Sequence, residues 1–156
     1  MKKLSLTELT DNMETQNDLT NFLYHKKSGE LVYFSDEELS IAESEDDRDI
    51  PGWQIPVVKI AEDTLKHPED YIEIPTQFDI HEYQIMEQFC LSLPLEKAEI
   101  LADAIRGRGA FRRFKDKIHD LGVADAWFAF KRDYFYEIAR DWCEEHNIDY
   151  IDDRKV

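Results

Sequence analysis

Hydrophobic residues fall in short β-rich runs through the amino-terminal half of the chain and at helical spacing through the carboxy-terminal half. Leu4–Glu14 reads as a short helix. Phe22-Leu23-Tyr24-His25 and Leu31-Val32-Tyr33-Phe34 flank Lys26-Lys27-Ser28-Gly29-Glu30, and with Gly29 free to take a positive φ this predicts a hairpin. Ser35-Asp36-Glu37-Glu38 has capping-box spacing and predicts a helix that fades into Glu43–Asp49. Pro51-Gly52-Trp53 interrupts the chain and leaves Trp53 exposed. Pro56 opens a further helix carrying Val57, Ile60, Ala61 and Leu65, which His67-Pro68 ends. Tyr71-Ile72-Glu73-Ile74-Pro75 is the third strand, with Pro75 at a sheet end.

Past residue 75 the spacing is helical. Asp79-Ile80-His81-Glu82 reads as a second capping box ahead of Tyr83, Met86, Phe89 and Cys90. Pro94 starts a helix through Ala98, Leu101, Ala102 and Ile105 to Gly107. Another runs from Ala110 to Leu121 with Phe111, Phe114, Ile118 and Leu121 on one face and Gly122 as its stop. The last, Ala124–His146, presents Trp127, Phe130, Tyr134, Ile138 and Trp142, flanked by Phe128 and Phe135, as core, and Asn147 caps it. The expected fold is α+β, a small three-stranded antiparallel sheet (hairpin plus third strand) packed with a predominantly helical second half. One domain over residues 1–156 is the economical organisation. Its finer parts are a sheet-containing 1–75 and a helical 76–150, and Glu43–Asp49 is a candidate join.

Composition narrows the class. A chain of 156 residues buries roughly 68–70% of its unfolded surface and needs no disulfide or structural metal. Cys90 and Cys143 each sit in an apolar helical run and read as small buried hydrophobes. No apolar stretch approaches the ~20 residues of a membrane span, and Met1-Lys2-Lys3 is not followed by an apolar segment, so the expectation is a cytoplasmic protein with no membrane partner.

The net charge is −16, yet its distribution is uneven. Arg106–Lys117 holds six basic residues against the single acid Asp116, while the remainder holds 13 basic and 34 acidic residues. Asp36–Asp49 carries eight carboxylates and reads as a solvated acidic stretch. The overall charge disfavours bulk DNA.

Most chemistries lack their motifs. There is no Gly-x-Ser-x-Gly elbow and no phosphate-binding Gly-x-x-x-x-Gly-Lys-Ser/Thr loop. Gly107-Arg108-Gly109 is a fragment of a dinucleotide fingerprint, but it joins two helices instead of following a strand. The pairs Asp63/His67 and Asp116/His119 have helix-face spacing without a third ligand, so they read as surface polar pairs. No catalytic residue, metal or cofactor is expected.

The basic turn is the site candidate: Arg106, Gly107, Arg108, Gly109, Arg112, Arg113 and Lys115. A helix start offers free amides and partial positive charge, so each exposed cation there costs about 0.3–1 kcal/mol. A bound anion would reverse that sign, capping the helix and pairing with the guanidinium forks, and Gly109 would allow close approach. Alternatively, the arginines pair with the chain's own abundant carboxylates and lock the junction. The first reading gives a non-catalytic binding protein for a phosphate-bearing small molecule or RNA. The second gives an interaction protein whose acidic surface meets a basic partner, and an enzyme with carboxylate or histidine acid–base chemistry is a third.

Ala104-Ile105-Arg106-Gly107-Arg108-Gly109-Ala110-Phe111-Arg112-Arg113-Phe114-Lys115-Asp116, followed by Trp127-Phe128-Ala129-Phe130-Lys131 and Trp142, resembles the bacterial uncharacterised protein family numbered 158 in the UPF series. Ser28-Gly29-Glu30, Tyr71–Pro75 and Tyr83–Phe89 resemble it too. The resemblance spans nearly the whole chain and implies a bacterial cytosolic protein, with no residue roles to carry over.

Overall fold

The computed structural model describes residues 2–44, 50–76 and 79–154. Along the chain run β1 (Leu4–Ser5), α1 (Leu6–Thr15), β2 (Thr20–His25), β3 (Glu30–Ser35), α2 (Asp36–Ser44), α3 (Ile55–Lys66), a 3-10 turn Pro68–Asp70 and β4 (Tyr71–Glu73). Then come α4 (Glu82–Leu91), α5 (Leu95–Ala104), α6 (Ala110–Asp120), α7 (Ala124–Glu145) and β5 (Tyr150–Ile151). The fold is α+β. Its chain forms two units, Met1–Thr76 with Ala139–Val156, and Gln77–Ile138.

In the first unit β2 is the centre of an antiparallel sheet ordered β3-β2-β4. Gly29 takes φ +72° and lets the Lys26–Gly29 turn close the β2–β3 hairpin. One face of the sheet sends Phe34 and Leu23 into a core with Ala42, Val58 and Ala61 of α2 and α3. The opposite face buries Tyr24, which meets the Trp142 ring edge-on at 6.0 Å. The predicted capping box forms at α2. Ser35 Oγ accepts from the Glu38 amide at 3.2 Å, and Glu38 Oε1 accepts from the Ser35 amide at 3.0 Å. The expected fade-out of this helix lies outside the described residues from residue 45 onward.

Two expectations at helix starts need correction. Leu4–Ser5 is not helical but pairs in parallel with Tyr150–Ile151, and α1 begins only where Ser5 Oγ caps the Glu8 amide at 3.1 Å. Asp153 reinforces this start, accepting from Ser5 Oγ at 2.5 Å and from the Thr7 amide at 3.0 Å. Similarly, α4 starts at Glu82 behind His81, without a side-chain cap, so Asp79–Glu82 is not its capping box.

The second unit is built around Phe89 of α4. Its ring lies 6.2 Å from Phe114 of α6 and 5.4 Å from both Trp127 and Phe130 of α7, and Phe114 and Trp127 meet edge-on at 4.7 Å. Gly122 at φ +70° ends α6 in a Schellman turn: Val123 N donates to Ile118 O at 2.9 Å and Gly122 N to His119 O at 3.1 Å. Asn147 does the same for α7 at φ +55°, with Ile148 N on Cys143 O at 2.8 Å. Of the expected α7 face Trp127 and Trp142 are buried and Phe130, Tyr134 and Ile138 half-buried; Phe135, Tyr136 and Cys143 widen the buried arc, whereas Phe128 is exposed. No helix among the described residues is long and apolar enough to cross a membrane.

Candidate anion site at the Gly-Arg-Gly helix junction

Helix α5 stops at Ala104, three residues short of Gly107, and Ile105–Gly109 turns the chain into α6. Gly107 and Gly109 take φ +73° and +76°, a backbone region that costs an L-residue roughly 1–2 kcal/mol. Gly109 is the N-cap of α6 and supplies no side-chain bond, and no acid stands in the first turn. The amides of this helix start are therefore left to solvent or to a ligand.

Arg113 behaves differently from either expectation. Its Nε donates to Ala104 O at 2.8 Å, while Nη1 donates to Arg108 O and Nη2 to Arg106 O. One guanidinium thus gathers three carbonyls at the end of α5 and in the turn. These are acceptors that a helix end leaves without partners. The physical sense is clear: the cation sits at the start of α6 but is directed at the negative end of α5. A Cβ on Gly109 would lie 3.0 Å from Arg113 Nη1, so the second glycine makes room for this clasp.

The other cations of the turn stay outside. Arg106 reaches Asp103 at 3.9 Å, with both side chains about four-fifths exposed. Arg108, Arg112, Lys115 and Lys117 are exposed and make no ion pair among the described residues. Among the described residues, then, the turn is held by Arg113 on carbonyls and not by pairing with carboxylates. Phe111 was expected on the buried face with Phe114 and Ile118, yet it is 54% exposed, because Ala110, Phe114 and Ile118 form the buried arc. An aromatic face thus stands among the arginines. Sequence reasoning missed both features. The usable signal was an arginine four residues beyond a glycine N-cap, with another glycine-closed helix end just before it.

Elsewhere the polar pairs rearrange. Asp63 does not pair with His67; it accepts from Tyr71 OH at 2.5 Å. That bond holds the Asp63 carboxyl below its ordinary range, while burial and then the carboxylate push the Tyr71 phenol up to about 12. Tyr71 also stacks on His25 at 4.6 Å, whose Nδ1 lies 2.7 Å from Ser28 Oγ. His67, Glu69 and Asp70 bring ligand atoms within 4.8 Å of one another, but Asp70 already pairs with Lys27 at 3.3 Å. Asp116 and His119 are exposed on α6. Cys90 and Cys143 are free and buried, and burial pushes the Cys143 thiol up to about 12, away from nucleophilic use.

Residues 2–155 match the Uncharacterised protein family (UPF0158), the family that the Gly-Arg-Gly turn resembles. No curated protein and no solved structure matches the chain.

Proposed function

The chain belongs to that family, a membership that assigns no residue a role, and from its own side chains we propose a non-catalytic binding protein for a phosphate-bearing ligand. The observation that carries this reading is the set of exposed cations Arg108, Arg112 and Lys115, without carboxylate partners among the described residues, around a helix start with no side-chain cap. In this reading Arg106, Arg108, Arg112 and Lys115 contact the anion, and Gly107 and Gly109 let it approach the backbone. Arg113 keeps the turn in shape, and two of its five N–H donors remain for the ligand. The exposed Phe111 ring favours a nucleotide or short RNA over bare phosphate, since a base stacks on it while the arginines hold the phosphate. A long duplex is disfavoured by the net charge of −16. The setting that fits is the bacterial cytosol.

A thermal-shift panel of inorganic phosphate, nucleoside diphosphates and a short single-stranded RNA tests the proposal. Saturating ligand at 100 times its Kd stabilises by about 2.7 kcal/mol, and Arg112→Glu should abolish that gain while leaving the unliganded melting temperature near the native one. Absence of any saturable stabilisation at low salt refutes the reading.

A further inference from the structure

The first unit carries a second site of opposite sign. A groove of about 440 Å3 is bounded by α1, the Thr20–Phe22 end of β2, the Tyr33–Ser35 end of β3 and the start of α2. Asp11, Asn12 and Thr15 come from one wall, Phe22 and Tyr33 from the floor, and Glu38 from the far end. Phe22 and Tyr33 are direct cross-strand partners with ring centroids 5.9 Å apart, and Tyr33 is 61% exposed.

Glu38 is the unusual member. It is only 8% exposed, and its Oε1 takes both the amide and the hydroxyl of Ser35, the latter at 2.9 Å. Among the described residues no fully buried side-chain oxygen lacks a hydrogen-bond partner, so Oε2, which takes neither Ser35 bond, keeps some exposure, and Glu38 lines the groove. Among the described residues no basic side chain lines the groove. The surrounding field has the same sign: outside residues 77–138 the chain holds 24 acidic and ten basic side chains.

We propose that this groove binds an organic cation with a planar, delocalised charge, a guanidinium group. The ring of Tyr33 offers its face to the plane of the cation, Asp11 and Glu38 Oε2 accept its N–H donors, and the Thr15 and Thr20 hydroxyls surround the stem. A compact ammonium makes the same charge contact without the stacking or the fork geometry. An anion meets two carboxylates and no donor of positive charge. The guanidinium comes either from a free small molecule or from an arginine side chain of a partner.

Titration of the full-length protein followed by amide NMR distinguishes these sources. Agmatine, its urea analogue N-carbamoylputrescine, which keeps the ammonium and makes only the guanidinium end neutral, and a capped Gly-Arg-Gly peptide are the probes. Agmatine should shift the Thr15, Thr20, Phe22 and Tyr33 signals saturably and bind at least tenfold more tightly than the urea analogue. Asp11→Asn and Tyr33→Ala, both at exposed positions, should each weaken it threefold or more with the rest of the spectrum native. Tighter binding of the peptide than of agmatine assigns a partner's arginine, and equal or weaker binding assigns a free cation. Non-saturable shifts, a urea analogue that binds within tenfold of agmatine, or an affinity within threefold of native in either variant overturns the proposal.

Discussion

Replacing Arg113 with methionine keeps an unbranched apolar stem and deletes its three bonds to Ala104, Arg106 and Arg108 carbonyls. A charge-assisted hydrogen bond contributes about 1.5–3 kcal/mol when shielded. Only the Ala104 bond is partly buried, and the other two lie at the surface, where water takes over much of the lost contact. The sum for the clasp is therefore about 2–3 kcal/mol. At about 2–4 °C per kcal/mol for a chain of this size, Arg113→Met should melt roughly 4–12 °C below the native protein. Arg112→Met is the matched control. It removes the same charge from the neighbouring residue of the same helix, but its side chain is exposed and makes no ion pair among the described residues, so stability should stay within about 0.5 kcal/mol. Arg113→Lys should fall near the methionine variant, because one ammonium cannot span three divergent carbonyls. Urea melts followed by far-ultraviolet circular dichroism give all three values. Equal losses at positions 112 and 113 would show that net charge, not the clasp, sets the energy, and the reasoning would fail.

Three other outcomes follow from local geometry. Gly109→Ala places a Cβ at φ +76° and 3.0 Å from Arg113 Nη1, so it should cost at least the roughly 1–2 kcal/mol of the left-handed backbone; an unchanged urea midpoint would contradict the positive φ. The Asp153 carboxyl is held below its ordinary range by the Ser5 hydroxyl, so its stabilisation is present above pH 4 and is lost as pH falls through the lowered value. Asp153→Asn should accordingly lose about 0.3–1 kcal/mol at pH 7, and its difference from the native protein should shrink as pH falls through that lowered value. The Cys143 thiol stabilises the fold below pH 9 and loses that contribution as pH rises toward 12, so both thiols should resist an aromatic disulfide reagent at pH 8 until urea is added; one fast-reacting thiol in the native protein would count against their burial.

Much of this fold is written locally and was legible for that reason. The Gly29 hairpin, the Ser35–Glu38 box and the glycine stop at 122 each depend on residues within a few positions of one another. What was hidden lies at long range or between competing local signals. Leu4–Ser5 has the look of a helix start until Tyr150–Ile151 arrives beside it, and two-residue strands leave no periodicity to detect. Phe111, Phe114, Ile118 and Leu121 do share helical spacing, yet Ala110 takes the buried place because the tight turn at Gly109 sets where α6 enters the packing. Asp63 and His67 have the right separation for a pair, and Tyr71 wins the carboxylate instead. The basic turn was legible as a site of interest. The direction of its arginines was not: sequence places Arg113 at the start of a helix, and only geometry reveals that its targets belong to the helix before.

The β1–β5 pair also constrains how the protein is made. Leu4 and Tyr150 are neighbours in space, and Thr7 leans on Asp153, 146 residues away. A ribosome adding roughly 5–20 residues per second leaves the first helix without its carboxylate and its companion strand for roughly 7–30 s after it is synthesised. The segment Gln77–Ile138 does not wait for the final strand, since every residue of its aromatic core is synthesised before that strand. The inserted unit thus has all its residues before the unit that begins the chain does, and the first unit is the last to be completed.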